Sequence, residues 1–280
     1  MAKRSNINST FQNFEWQVPR IVPTLIKGKD AERLCKTILN EGLDLGFMDY
    51  NYETQELRCS NPLRTGQIYR IVAPSGLRVA TPTDNIYENV FPLIKGKFYS
   101  DLNALDVREK NPSYEKNTGL WRKLIELAEK TQGRVKFPFR VQGFYTMPNK
   151  SEDSYGIEIV PADNFRIIED ERLALSSQTK FSKLDENGMI LPDKKGDYNW
   201  YSREDGLSGL CLDRDGDLHS YYDYLVDSID DGRVVLLTAE GSAQNFLKNK
   251  IKQLQIERDQ EFARINERYS KAESILRGKE

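Results

Sequence analysis

The stretch from Ser242 to Gly278 constrains this chain most, because its apolar residues fall on one stripe within an otherwise charged run. Leu247, Ile251, Leu254, Phe262, Ile265, Tyr269, Ala272 and Leu276 follow steps of four and three, with Arg258 in one slot and one extra step of four around it. That spacing is a coiled-coil seam with a stutter. With Ser242 as N-cap and Gly278 as the residue past the end, it predicts a single helix about 50 Å long. A rod of that length outruns the cover a small domain can give it. Its ridge (Leu247, Ile251, Leu254, Phe262, Ile265, Tyr269 and Leu276) is therefore expected to dock on a protein partner or on a second copy of the chain.

The 280 residues suffice for one or two domains with a real core. Cys35, Cys59 and Cys211 are odd in number and far apart, with no CxxC pair, which points to a reducing compartment rather than to disulfides or zinc. The polar N-terminus carries Lys3 and Arg4 but no apolar segment of a secretory signal follows. No run approaches the ~18 apolar residues of a spanning helix. The expected location is cytoplasm, or a particle assembled there, without a membrane partner.

A net charge of −2 argues against a general polyanion binder, yet the charge is unevenly spread. Between Leu120 and Lys150 the bases Arg122, Lys123, Lys130, Arg134, Lys136, Arg140 and Lys150 outnumber the acids Glu126 and Glu129. Between Arg203 and Asp231 the balance inverts: Glu204, Asp205, Asp213, Asp215, Asp217, Asp223, Asp227, Asp230 and Asp231 meet only Arg203 and Arg214. Two solvated faces are the plain reading of this segregation.

Along the chain, residues 1–26 read as an N-terminal arm, with Trp16, Val18, Ile21, Val22 and Leu25 set among prolines. A body over 27–240 follows, with a subdivision conceivable near 115–133, and then the helix of 241–280. Within the body, Asp30 caps a helix over Ala31–Glu41 that buries Leu34, Ile38 and Leu39 and ends at Gly42. Gln67–Ala73 and Leu77–Thr81 read as a hairpin across Pro74, Ser75 and Gly76, and Val90–Tyr99 as a weaker third strand. Thr118–Thr131 is the second internal helix, closed by Gly133. After it Arg134–Tyr145 alternates, with Val135, Phe137, Phe139 and Val141 on one side and Arg134, Lys136, Arg140 and Gln142 on the other. Pro138 demotes that run to an edge strand or marks a bulge on it. Further strands are expected at Tyr155–Val160, Phe165–Glu169, Gly209–Leu212, Leu218–Val226 and Arg233–Thr238, with Leu175–Ser202 a long loop or a small inserted excursion. The fold class is α+β: an antiparallel β-rich body with two short internal helices and a long, coiled-coil-like C-terminal helix.

The string YRIVAPSGLRV from Tyr69 to Val79, followed by IYENVFPLIKG from Ile86 to Gly96, resembles the first half of a bacterial SH3-type domain. That resemblance implies a small β-barrel that binds peptides or cell-wall fragments. Departures are plain: Leu77-Arg78-Val79 is followed by Ala80-Thr81-Pro82, so the family's next arginine and glycine are missing, and no closing Gly-Trp-Val follows. Leu105-Asp106-Val107-Arg108 to Pro112 matches about as well. No site residue carries over.

Asp213, Asp215 and Asp217 alternate as do the first ligands of an EF-hand calcium loop, but Leu218 stands where the loop needs glycine and Tyr224 where it needs a bidentate glutamate. A hairpin turn on Asp215-Gly216 explains the same letters. His219, the sole histidine, excludes His-based metal clusters by count and reads as an ordinary strand residue. No phosphate loop, dinucleotide fingerprint or nucleophile elbow is present, and no cofactor is expected. Arg134, Lys136 and Arg140, with Trp121 and Tyr145 nearby, could follow a phosphate backbone while a ring stacks on a base. The competing reading makes them the wet side of an edge strand. Tyr198, Trp200, Tyr201, Tyr221, Tyr222 and Tyr224 suit a protein interface or, less simply, a sugar platform.

These readings rank a non-catalytic structural or adaptor subunit of a multi-protein assembly first, a phage particle being one example, held through the C-terminal helix and N-terminal arm. The alternative is a nucleic-acid-binding subunit using residues 120–150. Third comes an enzyme whose carboxylates converge only in the fold, which a cleft gathering several acids with raised pKa values would favour.

Overall fold

The computed structural model describes residues 23–112, 114–149, 155–175, 178–238, 258, 261–266 and 268–270. The predicted arm up to residue 22 lies outside them, as does most of the predicted C-terminal helix, including Leu247, Ile251, Leu254, Ala272 and Leu276.

The elements run β1 (Pro23–Leu25), α1 (Gly28–Asn40), β2 (Asp49–Asn51), β3 (Glu56–Arg58), α2 (Pro62–Val72), β4 (Leu77–Val79), α3 (Ile86–Asn89), α4 (Phe91–Ile94), β5 (Tyr99–Val107) and α5 (Asn117–Gln132). Then come β6 (Phe139–Pro148), β7 (Ile157–Glu169), β8 (Thr179–Leu184), β9 (Ile190–Pro192), β10 (Tyr198–Ser202), β11 (Leu207–Leu212), β12 (Leu218–Ser220), β13 (Gly232–Arg233) and β14 (Val235–Thr238). A nine-stranded sheet in the order β7-β6-β5-β11-β12-β10-β8-β9, with β13 also on β5, forms the body. A three-stranded sheet β1-β14-β4 and the small hairpin β2-β3 flank it.

The sheet is mixed. The hairpin β11–β12 folds back so that β12 inserts between β11 and β10, and β12 therefore runs parallel to β10. β13 likewise pairs parallel with β5. The expected antiparallel body with two short internal helices and a long C-terminal helix is thus corrected to a β-rich fold on a mixed nine-stranded sheet with five α-helices between residues 23 and 238, the longest being α5 at 16 residues.

α1 and α5 form where the apolar period puts them, but Leu39 is exposed. Ala31, Leu34, Cys35 and Ile38 complete the buried stripe of α1, and Leu39 falls one step past its edge. Gln67–Ala73 is not the first strand of a hairpin; it belongs to α2, which is capped by Asn61 Oδ1 accepting from Arg64 N at 2.9 Å, with Pro62 in the first turn. The helix is buried on nearly every side, so its sequence shows no amphipathic period. At Gly66 a β-carbon would sit 2.3 Å from Thr146 Oγ1, which is how closely α2 packs on β6. Val90–Tyr99 is likewise no strand: α4 occupies it, and β5 begins only at Tyr99. Residues 69–96 as a whole run from the second half of α2 through β4, α3 and α4.

Leu175–Ser202 is not a loop but supplies β8, β9 and β10. The two strands expected over 155–169 are one bulged strand, β7. β6 starts after Pro138 and lies between β5 and β7, so it is interior, not the expected edge. Residues 139–144 are buried throughout, on both faces. Three clusters make the core. One lies under α3 and α4 with Leu102, Trp200, Leu212 and Leu218; one under α5 with Leu105, Phe139 and Phe144; one joins α1 and α2 to Val79 and Leu236.

Candidate functional site

Period two decides what the two faces of the central strands carry. Leu212 pairs with Leu218 and Leu218 with Trp200, and all three face the core beneath α3 and α4. One residue along, Asp101 on β5 pairs with Cys211 on β11, Cys211 with His219 on β12, and His219 with Tyr201 on β10. Directly paired residues project to the same side. A polar row, Asp101, Cys211, His219 and Tyr201, therefore crosses four adjacent strands on the face opposite an apolar one.

Asp101, Cys211 and His219 of this row open on a cleft of about 220 Å³. Its floor is Asp101, Cys211, Asp213 and His219; its walls are Pro62, Tyr99 and the 221–231 segment, which contributes Tyr222, Tyr224, Asp227 and Ile229. No lysine or arginine lines it. Tyr222, Tyr224 and Ile229 are among the exposed large apolar side chains, so the rim offers rings to solvent. The imidazole of His219 stacks on Tyr201 at 4.7 Å between centroids and lies 6.3 Å from Tyr222.

The carboxylates of the cleft are held differently. Asp213 Oδ1 accepts from the amides of Asp215 and Asp217 at 2.8 and 3.0 Å, and its Oδ2 meets His219 Nε2 at 3.1 Å. Burial alone would raise its pKa, but these hydrogen bonds outweigh burial and keep it below the ordinary carboxylate value. An ionised Asp213 can only accept, so His219 Nε2 carries the proton between them, while Nδ1 is buried without a hydrogen-bond partner. Asp101, only 4% exposed, has no such support. Burial pushes its pKa up to about 7, and the charge of Asp227 adds to the rise while the Ser60 hydroxyl opposes it. Geometry agrees independently. Ser60 Oγ lies 2.9 Å from the carbonyl of Arg233, which can only accept, and also against Asp101 Oδ2. With Asp101 ionised, the one Ser60 hydrogen is shared between these two acceptors; a protonated Asp101 relieves the sharing by donating to Ser60, which then donates to Arg233 alone.

Cys211 is half-buried, and burial together with the charges of Asp101 and Asp213 raises its thiol well above the ordinary range. That is the reverse of the electropositive setting that activates a nucleophilic thiolate.

Of the three aspartates with calcium-loop spacing, Asp213 and Asp217 come together and Asp215 does not; His219 completes a group whose ligand atoms lie within 4.8 Å of one another. Each is already engaged, since both oxygens of Asp217 accept from Asn199. The Asp213–Asp217 segment is the turn of the β11–β12 hairpin, closed by Asp213 N donating to Asp217 O at 2.9 Å, with Gly216 at a φ of 96°.

The residues proposed for nucleic acid do not assemble. Arg140 is not on a wet face: it is buried, donating to Asp106 at 2.6 and 3.0 Å. Arg134 and Lys136 are exposed but precede the strand, and Arg134 lies 3.8 Å from Glu169. Trp121 packs with the cluster under α5 and donates to the carbonyl of Arg108 at 2.9 Å, whereas Tyr145 meets Tyr69 edge-on in a different cluster. On the predicted C-terminal ridge, Phe262, Ile265 and Tyr269 are 58%, 53% and 74% exposed.

Sequence reasoning overlooked Asp101, Cys211, Asp227 and Tyr99 and took His219 for an ordinary strand residue. The available signal was the alternation Leu210-Cys211-Leu212-Asp213 and Leu218-His219, which puts polar groups opposite apolar ones on two strands of one hairpin. Comparison of the chain with known protein families, with curated proteins and with solved structures finds no match.

Proposed function

We propose that the chain binds a small polar ligand in the cleft between β5, β11, β12 and the 221–231 segment, and that Asp101 changes its protonation state when the ligand binds. The observation carrying this reading is the polar row itself: Asp101, Cys211 and His219 on adjacent strands open on one cavity, and the carboxyl among them is buried with no cation beside it. Stability alone favours apolar residues at such positions, as the same strands carry on their other face. A carboxyl that titrates near neutral pH, in a concave site with aromatic walls, is the usual mark of a binding or acid–base site. The cleft is smaller than the ~300–1,000 Å³ of drug-sized sites, so the ligand is small.

Ligand-observed NMR with a fragment set of neutral, cationic and anionic members tests this. Fragments are expected to bind the native protein and to be lost from Ile229→Trp, which fills the mouth from an exposed position. A protein that binds no fragment, or whose hits are untouched by that substitution, is not using this cleft.

One observation favours assembly as a second reading: Phe262, Ile265 and Tyr269, on described helical segments, stand exposed. A ridge of this kind suits a second copy or another chain. Sedimentation of the native protein against Phe262→Glu with Ile265→Glu is expected to show an oligomer reduced to monomer mass; identical masses would remove self-association.

A further inference from the structure

We propose that the ligand of this cleft is a small organic ammonium ion, and that it competes for the site with the proton of Asp101. This rests on the cleft being a binding site and names what the site takes.

Most acids of the 203–231 segment already have partners. Asp205 and Asp223 are paired with Arg203, Asp230 with Arg58 and Asp231 with Arg214. Asp217 is engaged by Asn199 and Asp213 by His219. These pairings draw the basic side chains outward, and none of them lines the cleft. What remains at the cleft is Asp101 inside and Asp227 at the rim, neither of which forms an ion pair among the described residues, with the Asp213 carboxylate on the floor. An anionic ligand would meet three carboxyl groups and no compensating donor cation. A cation meets the opposite.

Ring chemistry makes the same selection. Tyr99, Tyr222 and Tyr224 line the walls, and their π faces attract an ammonium group, most strongly where water is excluded. Carboxylate and ring together select an alkylammonium head over a bare metal ion, which would ask for several oxygens at fixed short distances.

Proton competition follows from what surrounds Asp101. The groups facing it are Ser60 and Tyr99, Cys211 on the paired strand, and Asp227 from the covering segment. None supplies positive charge, so in the empty cleft the carboxyl keeps its proton up to about pH 7, and an entering cation favours the ionised form. A bound ammonium ion then does for Asp101 what a lysine would do elsewhere.

Calorimetric titration with choline, butylamine, calcium chloride and the neutral choline isostere 3,3-dimethylbutan-1-ol provides the test, at pH 6 and pH 8. Choline or butylamine is expected to bind at least tenfold more tightly than the isostere, and about tenfold more tightly at pH 8 than at pH 6, as competition with a proton of pKa about 7 requires. Asp101→Asn should weaken the ammonium ion and abolish that pH dependence. Tyr222→Leu, at an exposed position, should weaken the ammonium ion more than it weakens the isostere. Equal affinity for the isostere, affinity independent of pH, or binding of calcium in place of the amines would overturn the proposal. Should the amines fail while neutral fragments still bind and are displaced by Ile229→Trp, the ligand class falls and the cleft survives; should nothing bind, both fall.

Discussion

Asp101 and Asp106 sit five residues apart on β5, both buried, and their surroundings favour different protonation states, the neutral acid for Asp101 and the carboxylate for Asp106. An odd separation sends them to opposite faces of the sheet. Asp106 receives Arg140 through two hydrogen bonds, the Ser220 hydroxyl, and Arg108 at 4.0 Å. Burial opposes its ionisation, but the two guanidinium groups prevail and hold its pKa below the ordinary value. Arg108 itself is spread over Leu173 O, Ser208, Ser202 and Ser220, so nearly every donor is used, and burial lowers its pKa to about 10. Asp101 has one hydroxyl and a cavity. The lesson is that burial alone says little about a carboxylate; a satisfied one is architecture, and an unsatisfied one beside a cavity is a candidate for function.

The same substitution at the two positions should therefore act in opposite directions. Asp106→Asn leaves two buried guanidinium groups without their counter-ion, which costs about 3–5 kcal/mol. Urea denaturation would show it as a lowered midpoint, and a loss below about 1 kcal/mol would mean that solvent reaches this network.

Asp101→Asn should stabilise the protein, and only above acid pH. Because the folded-state pKa is raised to about 7, the native protein binds more protons than the unfolded chain between about pH 4 and pH 7. Stability then falls as pH rises through that window and levels off above it. The full penalty is on the order of 4 kcal/mol, the roughly three-unit difference between the two states converted to free energy. Removing the charge should raise the denaturation midpoint at pH 8, leave it nearly unchanged at pH 4 and flatten the slope between. A variant that is destabilised at pH 8 would show that Asp101 is ionised and supported in the native protein.

Neither fate was legible from the chain alone. Both letters sit in β5, whose run of buried residues from Ser100 to Val107 breaks the alternation that betrays a one-sided strand. Arg140 reads as the wet side of an edge strand because Pro138, which has no amide to give a ladder, falls inside the alternating run; the sequence does not reveal that β6 begins only after Pro138 or that β5 and β7 flank it. α2 was hidden for a related reason, since a helix enclosed all round has no polar face to set its period, and only Asn61-Pro62 marked its start. Where one face met solvent the reading held: Leu120, Leu124 and Ala128 on α5, and the turn at Asp215-Gly216, follow from local period and turn chemistry. The cleft draws on β5, the β11–β12 hairpin and residues 221–231, three stretches that no local rule brings together.

The smallest effect separates the two carboxyls most finely. Asp227 stands at the rim of the cleft and raises the Asp101 pKa by its charge, after burial has done most of the work. Asp227→Asn should lower the Asp101 pKa by less than a unit, under about 1.4 kcal/mol, because an exposed charge acts through water and its ions. The Asp106 carboxyl, on the far side of the sheet and neutralised by its own arginines, should not move. Carboxyl-carbon NMR titration reads both sites in one experiment, and the Asp101 shift should shrink further at high salt. A shift of equal size at both positions would mean that Asp227 acts by loosening the sheet, whereas a shift at Asp101 alone identifies a field acting through the cleft.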